Sequence, residues 1–235
     1  MQFFQKKTPF CSAVIVAAGS ARRMQGIDKI MAPLDGKPVL WYTVHAFQEH
    51  PDIKEILIVT RADLLAETGE LCRASGFSKV TAVLVGGETR LDSVLAGVTN
   101  VSRKAKLIAV HDGARPLVSA EVISAAVKCA AKTGASAPAI PVKDTVKTAE
   151  KSVVTGTPDR STLFAVQTPQ IFDDDLLRAA LENAQKKQLS VTDDCSAVEA
   201  MGMRVTLTEG EERNLKITTP MDLSVAKLWM EAEKT

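Results

Sequence analysis

Through residues 1–142, short apolar runs rich in β-branched side chains alternate with stretches of helical period, and this alternation restricts the fold more than any other feature of the chain. SAVIVAA from Ser12, EILIVT from Glu55, KVTAVLV from Lys79, LIAVHD from Leu107 and SAPAIPV from Ser136 are each of strand length. Between them, PVLWYTVHAFQEH with Pro38 in its first turn, Leu64 to Ala74, Arg90 to Asn100 and Ala120 to Lys132 read as helices. Strand, helix, strand in that order predicts βαβ units, hence an α/β fold with a mostly parallel sheet and helices on both faces. Such sheets bind ligands at the carboxyl ends of their strands, where the strand order reverses. The residues just after each apolar run are therefore the candidates for chemistry.

The pattern changes at KDTVKTAEKSVVTGTPDR, from Lys143 to Arg160, which is polar and offers only Val146, Val153 and Val154 for burial. A structureless loop of that length is uncommon in a compact domain. A two-stranded β-arm over about residues 141–162 is expected instead, packed on another surface such as a partner subunit, because an isolated hairpin is marginal in water. FAVQTPQIF, MRVTLTEG and LKITT then read as strands, Asp174 to Lys187 and Asp194 to Met201 as helices. TPMDLSVAKLWMEAEKT reads as a last helix, capped by Thr219 with Pro220 in its first turn. No repeat or linker interrupts the chain, so residues 1–235 are expected to form one domain with an inserted arm.

Apolar residues make up 46% of the chain and charged residues 24%, which places it among ordinary soluble globular proteins. With 29 Lys and Arg against 28 Asp and Glu, the net charge of +1 supplies no field to hold a nucleic acid backbone. Cys11, Cys72, Cys129 and Cys195 lie too far apart for a metal knuckle or a small disulfide framework, so a reducing cytoplasm is the expected location. Lys6 and Lys7 before FCSAVIVAAG imitate a secretory signal, but Pro9 breaks the junction, and Val14, Ile15 and Val16 read as strand. No apolar run is long enough to span a membrane, and no organellar transit peptide is expected.

Cations and glycines recur at successive strand ends. In AAGSARRM, small Ala17, Ala18 and Gly19 let backbone N–H groups approach an anion, with Arg22 and Arg23 beside them; a tight turn with solvated arginines is the alternative. Lys29 follows in DKIMAPL, either a phosphate ligand or a surface lysine. GGETRLDSV sets Arg90 and Ser93 three apart at a helix start, suited to a nucleotide's sugar or base, or else simply capped by Thr89. In HDGARP, period-two alternation brings Asp112 out at the sheet's ligand edge near Arg115, while His111 turns to the opposite face as a core histidine. His45 and His50 read as helix-surface positions without metal-ligand spacing. No GxSxG, HExxH or Cys/His pairing is present, so the pattern fits phosphoryl or nucleotidyl transfer, in which a protein positions phosphates and stabilises charge.

Taken in order over residues 12–230, AAGSARRM, the lysine of DKIMAPL, GGETRLDSV, HDGARP, PVKDTVK, QTPQ and NLKITTP together resemble the 2-C-methyl-D-erythritol 4-phosphate cytidylyltransferase family of the non-mevalonate isoprenoid pathway. Single motifs are shared with many sugar nucleotidyltransferases, whereas the ordered set is specific. The resemblance implies a Rossmann-like nucleotidyltransferase fold and a homodimer with crossing arms. It implies transfer of CMP from CTP to methylerythritol phosphate, with release of pyrophosphate. Mg²⁺ would be held by the CTP phosphates, with Asp112 as the candidate protein ligand.

By the same resemblance, Arg23, Lys29 and Lys216 would neutralise the triphosphate and the transition state. Ala17, Ala18, Gly19, Gly87, Glu88, Arg90, Ser93 and Gly113 would contact CTP. Asp112, Arg115, Thr145, Arg160 and Thr168 would bind the acceptor, with Thr145 and Arg160 reaching in from the partner's arm. The chain departs from the family pattern at Ala21, where a second glycine is usual, and at Ile30, where glutamine commonly follows the lysine. Ribitol-5-phosphate cytidylyltransferase is the neighbouring alternative, since a methyl group supports only about 1–3 kcal/mol of discrimination. The compact AAGSARRM loop and the PVKDTVK arm favour methylerythritol phosphate. A catalytically silent nucleotide-binding regulatory module on the same fold is the alternative of another class. Arg23, Lys29, Asp112 and Lys216 occurring together argue against it.

Overall fold

The run around Val14 becomes the strand about which the sheet is organised. The structure is a computed structural model and describes residues 9–19 and 28–232. In chain order its elements are β1 (Cys11–Val16), β2 (Pro33–Leu34), β3 (Lys37–Pro38), α1 (Val39–Glu49), β4 (Ile53–Thr60), α2 (Leu65–Ala74), β5 (Val80–Val85), α3 (Arg90–Thr99), β6 (Leu107–Asp112), α4 (Ala120–Thr133) and β7 (Ala135–Pro141). There follow β8 (Thr148–Glu150), β9 (Val153–Gly156), β10 (Phe164–Val166), β11 (Gln170–Asp173), α5 (Asp174–Lys186), α6 (Asp194–Glu199), β12 (Thr206–Glu209) and α7 (Pro220–Ala232).

Among the described residues, the main sheet runs β10-β7-β11-β6-β1-β4-β5, with β12 added beside β7. β1 pairs in parallel with β4 on one side and β6 on the other, and β4 pairs in parallel with β5. The chain thus builds outward from β1 to β5, then returns across β1 to start β6. Val16 and Asp112, the last residues of β1 and β6, lie in register at that reversal, the crevice where an α/β sheet accepts ligands. β10 and β11 run antiparallel to their neighbours, so the sheet is mostly, not wholly, parallel.

Both faces are covered, as parallel strands require. Leu40, Val44 and Phe47 of α1 and Ile123, Ala126 and Val127 of α4 pack with Ile15, Ile58 and Ala109 on one face. Val94 and Val98 of α3, Leu177 and Leu181 of α5, and Val198 of α6 pack with Val14, Leu57 and Val110 on the other. The alternation in LIAVHD is therefore realised: Ala109 and His111 turn toward α1, where His111 meets Phe47, while Ile108 and Val110 face the second core. No described helix is long and apolar enough to cross a membrane.

Three expectations are corrected. FAVQTPQIF is two strands, β10 and β11, because Pro169 between them lacks the N–H that a ladder needs. LKITT forms no strand: Ile217 N–H bonds the Ala114 carbonyl, and the N–H groups of Thr218 and Thr219 bond the Asp222 carboxylate, so individual partners replace a ladder. His50 is buried rather than on a helix surface, since it ends α1 and its Nε2 contacts the Ala120 carbonyl and Ser124 Oγ of the neighbouring helix. The arm does form, with β8 and β9 antiparallel around Lys151 and Ser152 at positive φ.

Candidate active site

β1, β5 and β6 end together on one rim of the sheet, and a cleft of about 440 Å³ opens above their carboxyl ends. Ala18 and Gly19 line it from the end of β1, Gly87, Glu88, Arg90 and Ser93 from beyond β5, Asp112 from the end of β6, and Lys29 and Lys216 from more distant segments. The two lysines expected to act together therefore face one space. The rim is closely packed at Gly86, where a Cβ would lie 2.6 Å from Ala18 Cβ and 2.7 Å from Ser93 Oγ, so a larger residue there would part the two loops.

Lys29 is presented by a pinned segment. The Asp28 carboxylate accepts the N–H groups of Ile30 and Met31 and meets Arg61, just beyond β4, at 2.6 Å. The Ile30 carbonyl accepts the N–H of Leu40 at the start of α1, and the Ile30 side chain is buried in the core, consistent with an apolar residue at this position. Lys29 Nζ lies 3.5 Å from where a Cβ on Gly19 would stand, so the lysine overhangs the first loop. Arg23, Arg22 and Ala21 lie outside the described residues.

Asp112 is the carboxylate of the cleft and is nearly buried. Burial pushes its pKa up, but Lys216 at 2.9 Å, Arg90 and Arg115 outweigh that and hold it at about 2. Behind it a relay fixes β6. The Arg115 carbonyl can only accept, so His111 Nε2 carries the proton and Nδ1 accepts from Thr168 Oγ1, which in turn accepts the Asp112 N–H at 3.1 Å. Burial lowers the His111 pKa to about 4, so the ring is neutral and belongs to the core, as its strand position implied. Thr168 is thereby committed to the interior and does not line the cleft.

Lys216 sits on a segment without helix or strand, so it is held from both sides. Asn214, fully buried two residues earlier, donates through Nδ2 to Gln167 Oε1 and the Thr168 carbonyl, while its own carbonyl accepts from Arg115 Nη1 at 2.6 Å. On the other side, Ile217 N–H bonds the Ala114 carbonyl at 2.8 Å and its side chain joins a small core with Leu34, Val39 and Ala226. Arg115 is therefore chiefly a brace for this segment, and it reaches Asp112 at 3.5 Å.

The α3 start carries both of its readings. Thr89 and Asp92 form a reciprocal cap, and Ser93 Oγ donates to the Thr89 carbonyl. Arg90 lines the cleft while its guanidinium is held in a two-pronged pair by Asp194 of α6, at 3.0 and 2.7 Å. Burial pulls the Arg90 pKa down, and the Asp194 charge more than restores it; Asp194 itself is pushed up by burial against the pull of Arg90.

Other expected residues are not in the cleft lining. Ala17 and Gly113 are buried, with their N–H groups taken by the Val59 and Val16 carbonyls, so they shape the rim from behind. Thr145 and Arg160 are exposed on the arm side, where Arg160 Nη1 donates to the Lys143 carbonyl. Conversely, Asn214, Gln167 and Asp194 escaped the sequence reading. Each acts through partners dozens of residues away, and no local spacing announces such contacts.

A cation would meet a sparse protein ligand set. No group of three His, Cys, Asp or Glu able to hold a metal occurs among the described residues, and the Asp112 carboxylate faces the cleft mouth already ionised. This donor set fits a divalent ion carried largely by a polyphosphate, with Asp112 in reach, rather than a metal caged by protein.

The sequence model of the 2-C-methyl-D-erythritol 4-phosphate cytidylyltransferase (IspD) family matches residues 11–232. A protein of that name from Caldanaerobacter subterraneus is 43% identical over 226 residues, covering 93% of this chain and 98% of its own. Another from Symbiobacterium thermophilum is also 43% identical, with 94% and 93% covered. The crystal structure of 4-diphosphocytidyl-2C-methyl-D-erythritol synthase from Anaerococcus prevotii superposes with a TM-score of 0.86 at 30% identity, covering 95% of this chain and 97% of that one. With a family model spanning nearly the whole chain, relatives more than 40% identical and a shared fold, the chain belongs to the 2-C-methyl-D-erythritol 4-phosphate cytidylyltransferase family.

Proposed function

We propose that the cleft transfers CMP from CTP to 2-C-methyl-D-erythritol 4-phosphate, releasing pyrophosphate, in isoprenoid biosynthesis. The observation that carries this reading is the convergence of Lys29 and Lys216 with Asp112 over the reversal of strand order. The acceptor phosphate, with a second pKa of about 6, is largely dianionic at neutral pH and needs no general base. The obstacle is repulsion: each pair of unit charges about 4 Å apart costs roughly 4 kcal/mol at an effective dielectric near 20. Lys29 above the first loop and Lys216 beside Asp112 place positive charge on the path of the two anions and favour in-line approach to the α-phosphorus. Arg23, outside the described residues, is assigned the same work on the triphosphate.

Enzymes of this kind generally use a divalent cation, and here Mg²⁺ is assigned to the CTP phosphates with Asp112 as the candidate protein contact. When bound, it neutralises phosphate oxygens and so eases attack. Ala18, Gly19, Gly87, Glu88, Arg90 and Ser93 are assigned to the nucleotide, with Ala17 and Gly113 shaping the rim behind them. Asp112, Arg115 and Thr168 are assigned to the acceptor side, the last two through Asp112 and the Lys216 segment.

The remaining acceptor contacts come from a second copy. Val153 and Val154 on the arm are 69% and 57% exposed, and Phe164, Val166 and Leu207 add apolar surface on nearby strands, so the arm has more to bury than its own chain supplies. A homodimer in which each arm brings Thr145 and Arg160 to the partner's cleft satisfies this, with residues 1–235 as one catalytic unit. The four free cysteines fit a reducing cytoplasm. The test is pyrophosphate release from CTP with methylerythritol phosphate and with ribitol 5-phosphate in turn. Release with the first and a far lower rate with the second are expected; release with ribitol 5-phosphate alone overturns the acceptor.

A further inference from the structure

Asp194 is 1% exposed in the first turn of α6, and its position there is set without reference to the cleft. Gln170 Oε1 accepts the N–H groups of both Asp194 and Cys195, and Gln170 Nε2 donates to Asp193 Oδ2, which locks this turn to β11. Asp193 and Ser196 close the turn further as a reciprocal cap. The carboxylate of Asp194 is therefore an immobile acceptor, and the long Arg90 side chain comes to it from α3. Both guanidinium terminal nitrogens are engaged, at 3.0 and 2.7 Å, which fixes the plane as well as the position of the group. A guanidinium carries five N–H donors, so this clamp leaves others for the cleft that Arg90 lines. Because the pair's charges largely cancel, Arg90 offers oriented donors more than net charge.

We infer that Asp194 is a positioning residue for nucleotide binding, acting through Arg90. The inference rests on the cleft being the CTP site. Without its carboxylate, Arg90 would sweep over solvent at the rim, and the nucleotide would have to order it on binding. The alternative is that the pair only ties α3 to α6, and the two readings separate by experiment.

CTP affinity with Mg²⁺ is measured by calorimetry, together with the KM of the acceptor and the melting midpoint, for Asp194→Asn, Arg90→Gln and the double variant. Each single change is expected to weaken CTP about tenfold while the acceptor KM moves less than about twofold, since a misplaced donor alone carries costs of this order or larger. The double variant is expected to bind CTP no more weakly than Arg90→Gln, because removing the clamp from an absent arginine costs nothing further. It also removes the buried Asp194 charge and its partner together, so it stays informative should either single variant fail to fold. Unchanged CTP affinity in Asp194→Asn overturns the inference, as does a double variant a further tenfold weaker than Arg90→Gln. Equal loss of CTP and acceptor binding alongside a lowered melting midpoint overturns it too, assigning the pair to stability. Calorimetry requires no turnover, so a chain that binds CTP yet releases no pyrophosphate with methylerythritol phosphate would fail the proposed reaction and leave this inference standing.

Discussion

Lys216 Nζ stands 2.9 Å from Asp112 Oδ2, so a carboxylate at the end of a buried strand aims a cation carried by a segment that has no regular structure of its own. The pair sets the direction of the ammonium toward the cleft, and Arg115 keeps Asp112 compensated from the other side. Truncating the lysine thus removes charge from the reaction path without stranding a buried carboxylate. Lys216→Ala and Lys29→Ala are each expected to lower kcat by about a hundredfold or more, with far-UV circular dichroism and the melting midpoint close to wild type. Near-normal turnover in either would remove that lysine from the mechanism.

The strand behind the site makes stability depend on acid in two stages. His111 is buried and neutral with its pKa lowered from 6.5 to about 4, so as pH falls through that range the unfolded chain takes up a proton first and stability is lost, by about 3 kcal/mol in full. Asp112, lowered from 3.8 to about 2, contributes stability above pH 3.8 that disappears as pH falls toward 2. Urea midpoints between pH 7 and 4 are expected to decline in wild type and to decline less in His111→Gln. An identical slope in the variant would assign the acid sensitivity elsewhere.

Asn214 should matter twice. Replacing it by alanine removes donors to Gln167 and the Thr168 carbonyl in a fully buried place, which is expected to cost about 1–3 kcal/mol. It also loosens the segment that carries Lys216, so kcat should fall more than CTP affinity. A stability loss with unchanged kcat would show that Ile217 and Arg115 hold the lysine unaided.

The arm assignment makes a prediction about mixtures. Arg160→Ala is expected to raise the acceptor KM much more than the CTP KM. If Arg160 serves the partner's cleft, co-expressing Arg160→Ala with Lys216→Ala should restore activity to about a quarter of wild type, since half of randomly formed dimers are mixed and each of those has one complete site. No recovery above the two variants alone would place Arg160 in its own chain's site or in a structural role.

The sheet and its helices were legible because each depends on local period. The β-branched runs of β1, β4 and β6 had to be buried strands, that of β5 became the partly exposed edge, and the polar interlude before Arg160 could form little besides a hairpin. The strand-end rule then pointed to Ala18, Gly19, Asp112 and the GGETR loop without any contact being known. What the sequence alone determined is thus the architecture and the strand ends at which the cleft opens, with Lys29 and Lys216 named through the family resemblance. Only the tertiary structure decided how they are held: that Asp194 clamps Arg90, that Asn214 anchors the approach to Lys216, that Thr168 looks inward, and that LKITT pairs with single partners rather than a strand. Those choices depend on which polar groups become buried beside one another after the layers pack. A hydrogen bond between distant segments leaves no period in either of them.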